Sequence, residues 1–192
     1  MKKIIFAALM MLVAVGANAQ EKKYSLKSGS VKFAAKIMEM EVTVTQYFDD
    51  YGQKESTITE QGGANIMQMT KGDQVLVWIM GTTTGMKQDL TSKPINYLNL
   101  TDDLIDKFQI IQLDEKQTVL GKECIGYNMM LEANGAPVQI TTWVWEGLPL
   151  KVVQVVAGSE VVQEAVELKE NVEIEPDKFI IPDDVVFQTI QQ

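Results

Sequence analysis

The stretch Ile37-Met38-Glu39-Met40-Glu41-Val42-Thr43-Val44-Thr45-Gln46-Tyr47-Phe48 reads as one long β-strand. One parity carries Met38, Met40, Val42, Val44 and Phe48, and the other carries Glu39, Glu41, Thr43, Thr45 and Tyr47. Side chains alternate across a strand, so this pattern turns one face to a core and the other to water. Asp49-Asp50-Tyr51-Gly52 then reads as a turn, with Gly52 free to take positive φ. Residues 54–61 are expected to return as the partner strand. Residues 65–70 continue the pattern, and Lys71-Gly72-Asp73 turns again. Residues 75–80 are apolar on both parities, which predicts a central strand covered on both faces.

The middle of the chain changes character. Residues 81–91 are polar and rich in Gly and Thr, and read as a long loop. Thr101-Asp102-Asp103 has the pattern of a helix start: a threonine cap, then two acids at the positive end of the helix dipole. Leu104, Ile105, Phe108 and Ile111 follow at helical spacing, with Ile111 open to belonging either to the helix or to the strand after it. Further strands are expected at 118–120, 124–131, 138–145, 148–157 and 161–172, with a short closing segment at 185–190. Asn134-Gly135, Glu146-Gly147 and Gly158-Ser159 mark the turns between them. The expectation is eight to ten antiparallel strands with one or two helices, in a single domain.

The first nineteen residues have the three parts of an export signal: Lys2 and Lys3, an apolar run over 4–15, and Ala17-Asn18-Ala19 before the cut. The run is shorter than the roughly 20 apolar residues of a membrane span. Cleavage after Ala19 leaves residues 20–192 as a single β-rich domain with no cysteine at its new N-terminus for a lipid anchor. A soluble periplasmic or secreted protein is therefore expected. The chain has a net charge of −9, which becomes −11 once the two signal lysines leave, and it contains neither histidine nor arginine. Histidine-based acid–base chemistry, Ser-His-Asp and Cys-His pairs and histidine metal sites are thereby excluded. The acidic balance also argues against nucleic acid and anionic membrane surfaces as partners. Cys124 is the sole cysteine, so it is either buried or paired between chains.

The stretches Tyr24-Ser25-Leu26-Lys27-Ser28-Gly29, Tyr47-Phe48-Asp49-Asp50-Tyr51-Gly52, Gly121-Lys122-Glu123-Cys124-Ile125-Gly126-Tyr127 and Trp143-Val144-Trp145-Glu146-Gly147-Leu148-Pro149-Leu150-Lys151 carry a resemblance. Together they resemble an uncharacterised family of exported bacterial proteins, similar in pattern to the periplasmic lipoprotein carriers and receptors of the LolA/LolB-like group. The resemblance implies an α+β fold that is mainly antiparallel β: a curved half-barrel sheet with one or two helices over its concave face, enclosing a cavity for acyl chains. The chain departs from that group in lacking the carriers' arginine at the cavity mouth and the receptors' anchoring cysteine.

Eight of the eleven methionines lie beyond residue 19, and all three tryptophans do. Methionine is flexible and polarizable, and tryptophan offers a large apolar area with one donor, so both suit an adaptable apolar lining. Met38, Met40, Met67, Met69, Trp78, Met80, Leu104, Phe108, Trp143 and Trp145 are the candidate lining residues. Trp143 and Trp145 share a parity opposite to Val138, Ile140 and Val144. An ordinary packed core would show the same alternation. Asp49-Asp50 lacks the neighbouring ligands of a calcium loop, and Glu39 with Glu41 reads as a solvated face. No catalytic, metal or cofactor site is expected, and the chain does not read as an enzyme. Two functions remain: a carrier holding a lipid or other apolar molecule in the half-barrel, or a cell-envelope module that binds another protein through its surface.

Overall fold

The computed structural model describes residues 22–37, 40–90, 95–133, 136–156 and 158–189. The signal segment, Met38, Glu39 and the Asn134-Gly135 turn lie outside the described residues. In chain order the strands are β1 (Gly29–Ile37), β2 (Met40–Asp49), β3 (Lys54–Gln61), β4 (Ala64–Lys71), β5 (Gln74–Ile79) and β6 (Thr84–Asp89). Helix α1 (Asp102–Phe108) follows, then β7 (Ile111–Val119), β8 (Lys122–Ala133), β9 (Ala136–Trp145), β10 (Leu148–Val156), β11 (Ser159–Glu170) and β12 (Val186–Thr189).

All twelve strands form one sheet in the order β12-β6-β5-β4-β3-β2-β1-β11-β10-β9-β8-β7. The fold is thus α+β and mainly antiparallel, a half-barrel that curls without closing. Two meanders, β2 to β6 and β7 to β11, meet where β1 pairs antiparallel with β11. Register shifts at Lys32/Phe33, Pro149/Lys151 and Gln112/Lys116 insert extra residues into three of the ladders. Such bulges bend a strand and increase its twist, which favours the curl.

The strict alternation of β2 is realised: Val42, Val44, Gln46 and Phe48 are buried. Cross-strand register carries this inward face along the sheet. Phe33 lies opposite Val44 and Ala165, Gln163 opposite Ala35 and Val152, and Thr142 opposite Val152 and Tyr127. On the other arm, Thr57 and Thr59 lie opposite Gln46 and Val44, and Gln68 pairs with Val77. We call this continuous face the inner face.

Several expectations change: the strand expected at 118–120 runs from Ile111 to Val119, and the strand expected at 75–80 to be covered on both faces ends at Ile79, which is exposed together with Met80. The strand read over 37–48 begins at Met40, because Ile37 pairs with Met40 and belongs to a separate strand. The segment expected to be a loop at 81–91 contains β6, whose weak local pattern is compensated by pairing with β5 on one side and β12 on the other. The count of eight to ten antiparallel strands becomes twelve, with β12 running parallel to β6. The helix starts where Thr101-Asp102-Asp103 places it, but the Thr101 side chain makes no capping bond; its carbonyl accepts from Leu104 and Ile105 N–H at 3.0 Å each. It ends at Gln109 in the left-handed conformation (φ 49), and Ile110 N–H closes the turn onto the Ile105 carbonyl.

The C-terminal segment covers the outer face of β3 to β5. Phe179, Ile181, Val185 and Phe187 pack on Ile58, Met67, Met69, Leu76 and Trp78, with the Phe187 ring edge-on to Trp78 at 5.8 Å. Gly85 makes this possible: a Cβ there would lie 2.6 Å from the Phe187 ring and 2.9 Å from the Val77 carbonyl oxygen. Gly85→Ala should therefore lower stability by about 1–3 kcal/mol through overpacking. Urea unfolding followed by tryptophan emission checks this; an unchanged midpoint would show that the C-terminal cover is not held by that contact.

Candidate functional site

The inner face holds more polar groups than a simple core requires. Gln46, Glu55, Thr57, Thr59, Thr142, Gln154 and Gln163 are all buried on it. They form two groups, one on each arm of the sheet.

The first group surrounds Glu55. The Tyr24 hydroxyl donates to Glu55 Oε1, Gln46 Nε2 donates to the same oxygen at 2.8 Å and to Tyr24 Oη at 3.0 Å, and Lys23 Nζ pairs with Oε2 at 2.9 Å. A buried carboxylate is tolerated only when paired and hydrogen-bonded, and here both oxygens have partners. Lys23 and Tyr24 belong to a strap that crosses between the two arms. Their N–H groups bond the Tyr51 carbonyl, and Ser25 N–H bonds the Glu146 carbonyl in the β9–β10 turn. Gly147 (φ +81) lets the strap approach, since a Cβ there would meet the Lys23 carbonyl oxygen at 2.3 Å. The Tyr24 ring packs edge-on to Phe48 at 5.0 Å. This group ties the chain together and leaves no free acid or base.

The second group lies on β9 to β11, beside the segment that bears α1. Thr142, Gln154 and Gln163 share the inner face, and Tyr97 is hydrogen-bonded to Thr142. The Tyr97 and Tyr127 rings are 5.1 Å apart. Around them stands an apolar wall: Met129, Val138, Ile140 and Val152 from the sheet, with Leu104, Ile105 and Phe108 from α1. Gln163 Nε2 is buried and has no hydrogen-bond partner; on the other arm Thr57 Oγ1 is in the same condition. Ser56 Oγ also lacks a partner, but its parity places it on the outer face.

The ten candidate lining residues do not assemble into one site. Met67, Met69 and Trp78 come together, but on the outer face beneath the C-terminal segment. Leu104 and Phe108 reach the inner-face wall on the opposite arm. Trp143 and Trp145 do share the parity opposite to Val138, Ile140 and Val144. Trp143 lies over Gly126, where a Cβ would be 2.8 Å from its ring, and Lys122 Nζ sits 4.2 Å from the Trp145 ring centre. Met40 and Met80 are exposed, and Met38 is outside the described residues. Cys124 is fully buried and free, and burial raises its thiol pKa. No cluster of three or more potential metal ligands occurs among the described residues.

The polar residues of the second group left a trace in the sequence. Each interrupts a run of inward apolar positions: Thr142 in the row Val138, Ile140, Val144; Gln154 after Val152; Gln163 between Val161 and Ala165. Gln46 breaks the row Val42, Val44, Phe48 in the same way.

An uncharacterized conserved protein from Thermus thermophilus has a similar structure, with a TM-score of 0.55 and 11% identity over 86% of this chain and 92% of that one. Two crystal forms of PNGF-II match at TM-scores of 0.49 and 0.42, with 13% and 10% identity, over 85% of this chain in each case and 32% and 31% of theirs. At such identities the first likeness speaks for the fold alone, and the PNGF-II matches are too loose to carry even that. No protein-family model and no curated protein matches the chain.

Two phenols are held neutral inside. Tyr24 is pushed well above 10, first by burial and then by the Glu55 charge, and Tyr97 is pushed to about 12, mainly by burial. The fold thus favours the protonated form, so this stability is complete below about pH 10, the unfolded tyrosine value, and is lost as pH rises through the folded values. Urea midpoints measured between pH 9 and 12 should fall more steeply for the wild type than for Tyr97→Phe; parallel slopes would contradict the assignment.

Proposed function

We propose that the protein is an exported, soluble binding protein that holds a lipid or other apolar molecule against the inner face of its half-barrel. The observation that carries this reading is the unequal cover of the two arms. On β5 and β6 the outer face is packed under the C-terminal segment, yet on the inner face Ile79 is 45% and Met86 37% exposed. These two side chains continue the inner face through Ile66 and Val77, their cross-strand neighbours. Helix α1 packs on the other arm. Exposed apolar side chains on a concave, partly lidded face fit a binding groove. The address rests on the three-part signal pattern of the first nineteen residues.

Strand addition by a protein partner has less in its favour. Edge strand β7 presents exposed Asp114, Glu115 and Lys116 together with a register shift, features that discourage edge pairing. The other edge, β12, has only four residues.

Binding of N-phenyl-1-naphthylamine, a neutral dye that brightens in apolar sites, tests the proposal, with native mass spectrometry to detect co-purified lipid. One molecule of dye per chain is expected. Ile79→Glu and Met86→Glu should each weaken it about tenfold, roughly 1.4 kcal/mol, with little change in stability because both positions are exposed. Absence of both dye uptake and co-purified lipid would overturn the reading.

A further inference from the structure

The C-terminal strand takes part in both faces of the sheet. β12 pairs parallel with β6, so partnered residues share a face. Phe187 stands beside Gly85 on the outer face, while Val186 and Gln188 stand beside Thr84 and Met86 on the inner face. On the outer face the Phe187 ring is held by Trp78 and by the niche at Gly85. On the inner face the strand is open. Val186 is 68% exposed, the most of any large apolar residue among those described. Thr84 beside it is exposed too, and Trp78 pairs with Gly85, which places Ile79 next to Thr84. Ile79, Met86 and Val186 thus form one exposed apolar patch across three strands.

The chemistry of this face limits what can cover it. The inner-face positions of β4, β5, β6 and β12 carry no charged residue. The charges these strands do have, Lys71, Lys87 and Asp89, are all on the outer parity. A strand face that only meets water tolerates charge, as β7 does with exposed Asp114, Glu115 and Lys116. An exposed face without any charge suits an apolar occupant, because no ion has to lose its water when the face is covered.

The hold on β12 is slight. It is an edge strand of four residues with one neighbour in the sheet, and its ladder opens with Val186 N–H bonded to the Thr83 carbonyl at 2.9 Å. Short edge elements open locally at small free-energy cost. A molecule lying across β5, β6 and β12 touches β12 only while that strand is docked. It therefore binds the docked state better and shifts the equilibrium toward it.

We propose that β12 is the side wall of the groove: the bound apolar molecule rests on Val186 as well as on Ile79 and Met86, and filling the inner face fastens the C-terminal segment onto the outer one. This rests on the binding function proposed above and adds to it a binding residue and a ligand-dependent closure.

The test is hydrogen exchange read by mass spectrometry on the full mature chain, with and without N-phenyl-1-naphthylamine. At ten times its Kd the dye should slow exchange of the protected amides in Val186–Thr189 about tenfold, because the opened strand has lost the site. The other edge, β7, should change less than twofold. Val186→Glu should weaken dye binding about tenfold and leave the urea midpoint unchanged, since the side chain is exposed. Dye binding with no slowing in β12, equal slowing at β7, or undiminished dye affinity in Val186→Glu each overturns the inference and leaves the binding function standing. Slowing in β12 that appears on concentrating the chain without dye also overturns it, and assigns the patch to a second copy of the chain. Loss of dye binding altogether removes both proposals.

Discussion

The pairing of β1 with β11 is the constraint on which the rest of the structure depends. Every other antiparallel ladder joins strands adjacent in sequence. Without the β1–β11 ladder the chain would be two independent meanders, each with one apolar face and no core to put it in. The ladder runs from Gly29 opposite Glu170 to Ala35 opposite Gln163. Its end is fastened by Asn171 N–H to the Ser28 carbonyl at 2.8 Å and by Ser28 Oγ to the Val172 carbonyl at 2.7 Å. A contact between such distant parts of the chain forms against a large loop-closure entropy, so its gain must come from the apolar face it completes. Val31, Phe33, Val42, Val44 and Ala165 are that face, none more than 5% exposed.

The strap around Glu55 is the second tie between the arms and works by a different kind of interaction. Apolar packing is forgiving about orientation, whereas a buried carboxylate with three donors is not. Lys23, Tyr24 and Gln46 fix where residues 22–26 lie, and the backbone bonds to Tyr51 and Glu146 then join a turn of each arm. The Glu55 network contributes less net energy than its hydrogen bonds suggest, because burying the ions is costly. What it adds is a defined position for the strap across the end of the half-barrel.

How much of this was legible in the sequence depended on how local the cause was. The alternation in Val42, Thr43, Val44 and Thr45, the turn ending in Gly52 (φ +83) and the helix opening at Asp102 are set by neighbours within a few residues, and they appear where the sequence places them. Strand β6 was hidden because Thr84-Gly85-Met86-Lys87-Gln88-Asp89 has little alternation of its own; it is a strand because β5 and β12 pair with both its edges. The destination of the methionines was equally illegible. Parity shows that Met67, Met69 and Trp78 occupy the same kind of position, but not which of two apolar faces they join. That choice is made by Phe179, Val185 and Phe187, which return from the far end of the chain to cover them.

The polar interruptions carry a more general point about reading sheets for function. An inward glutamine in an apolar row lowers stability unless something satisfies it, so its presence calls for a specific partner. Gln46 has its partners in Tyr24 and Glu55, and its interruption is structural. Gln163 occupies the same kind of position and its amide nitrogen has none within the chain. Sequence pattern cannot separate the two, because both read as one polar residue among valines. The distinction rests on whether a distant segment arrives with a matching group. On the β2–β3 arm the strap brings one; on the β9–β11 arm α1 brings Leu104, Ile105 and Phe108, which supply apolar surface and no acceptor. Unpartnered polar atoms nonetheless remain on both arms, Thr57 Oγ1 opposite Gln46 and Gln163 Nε2 on the helix-covered arm, so the strap and helix α1 differ in the chemistry they bring and neither leaves its arm fully satisfied.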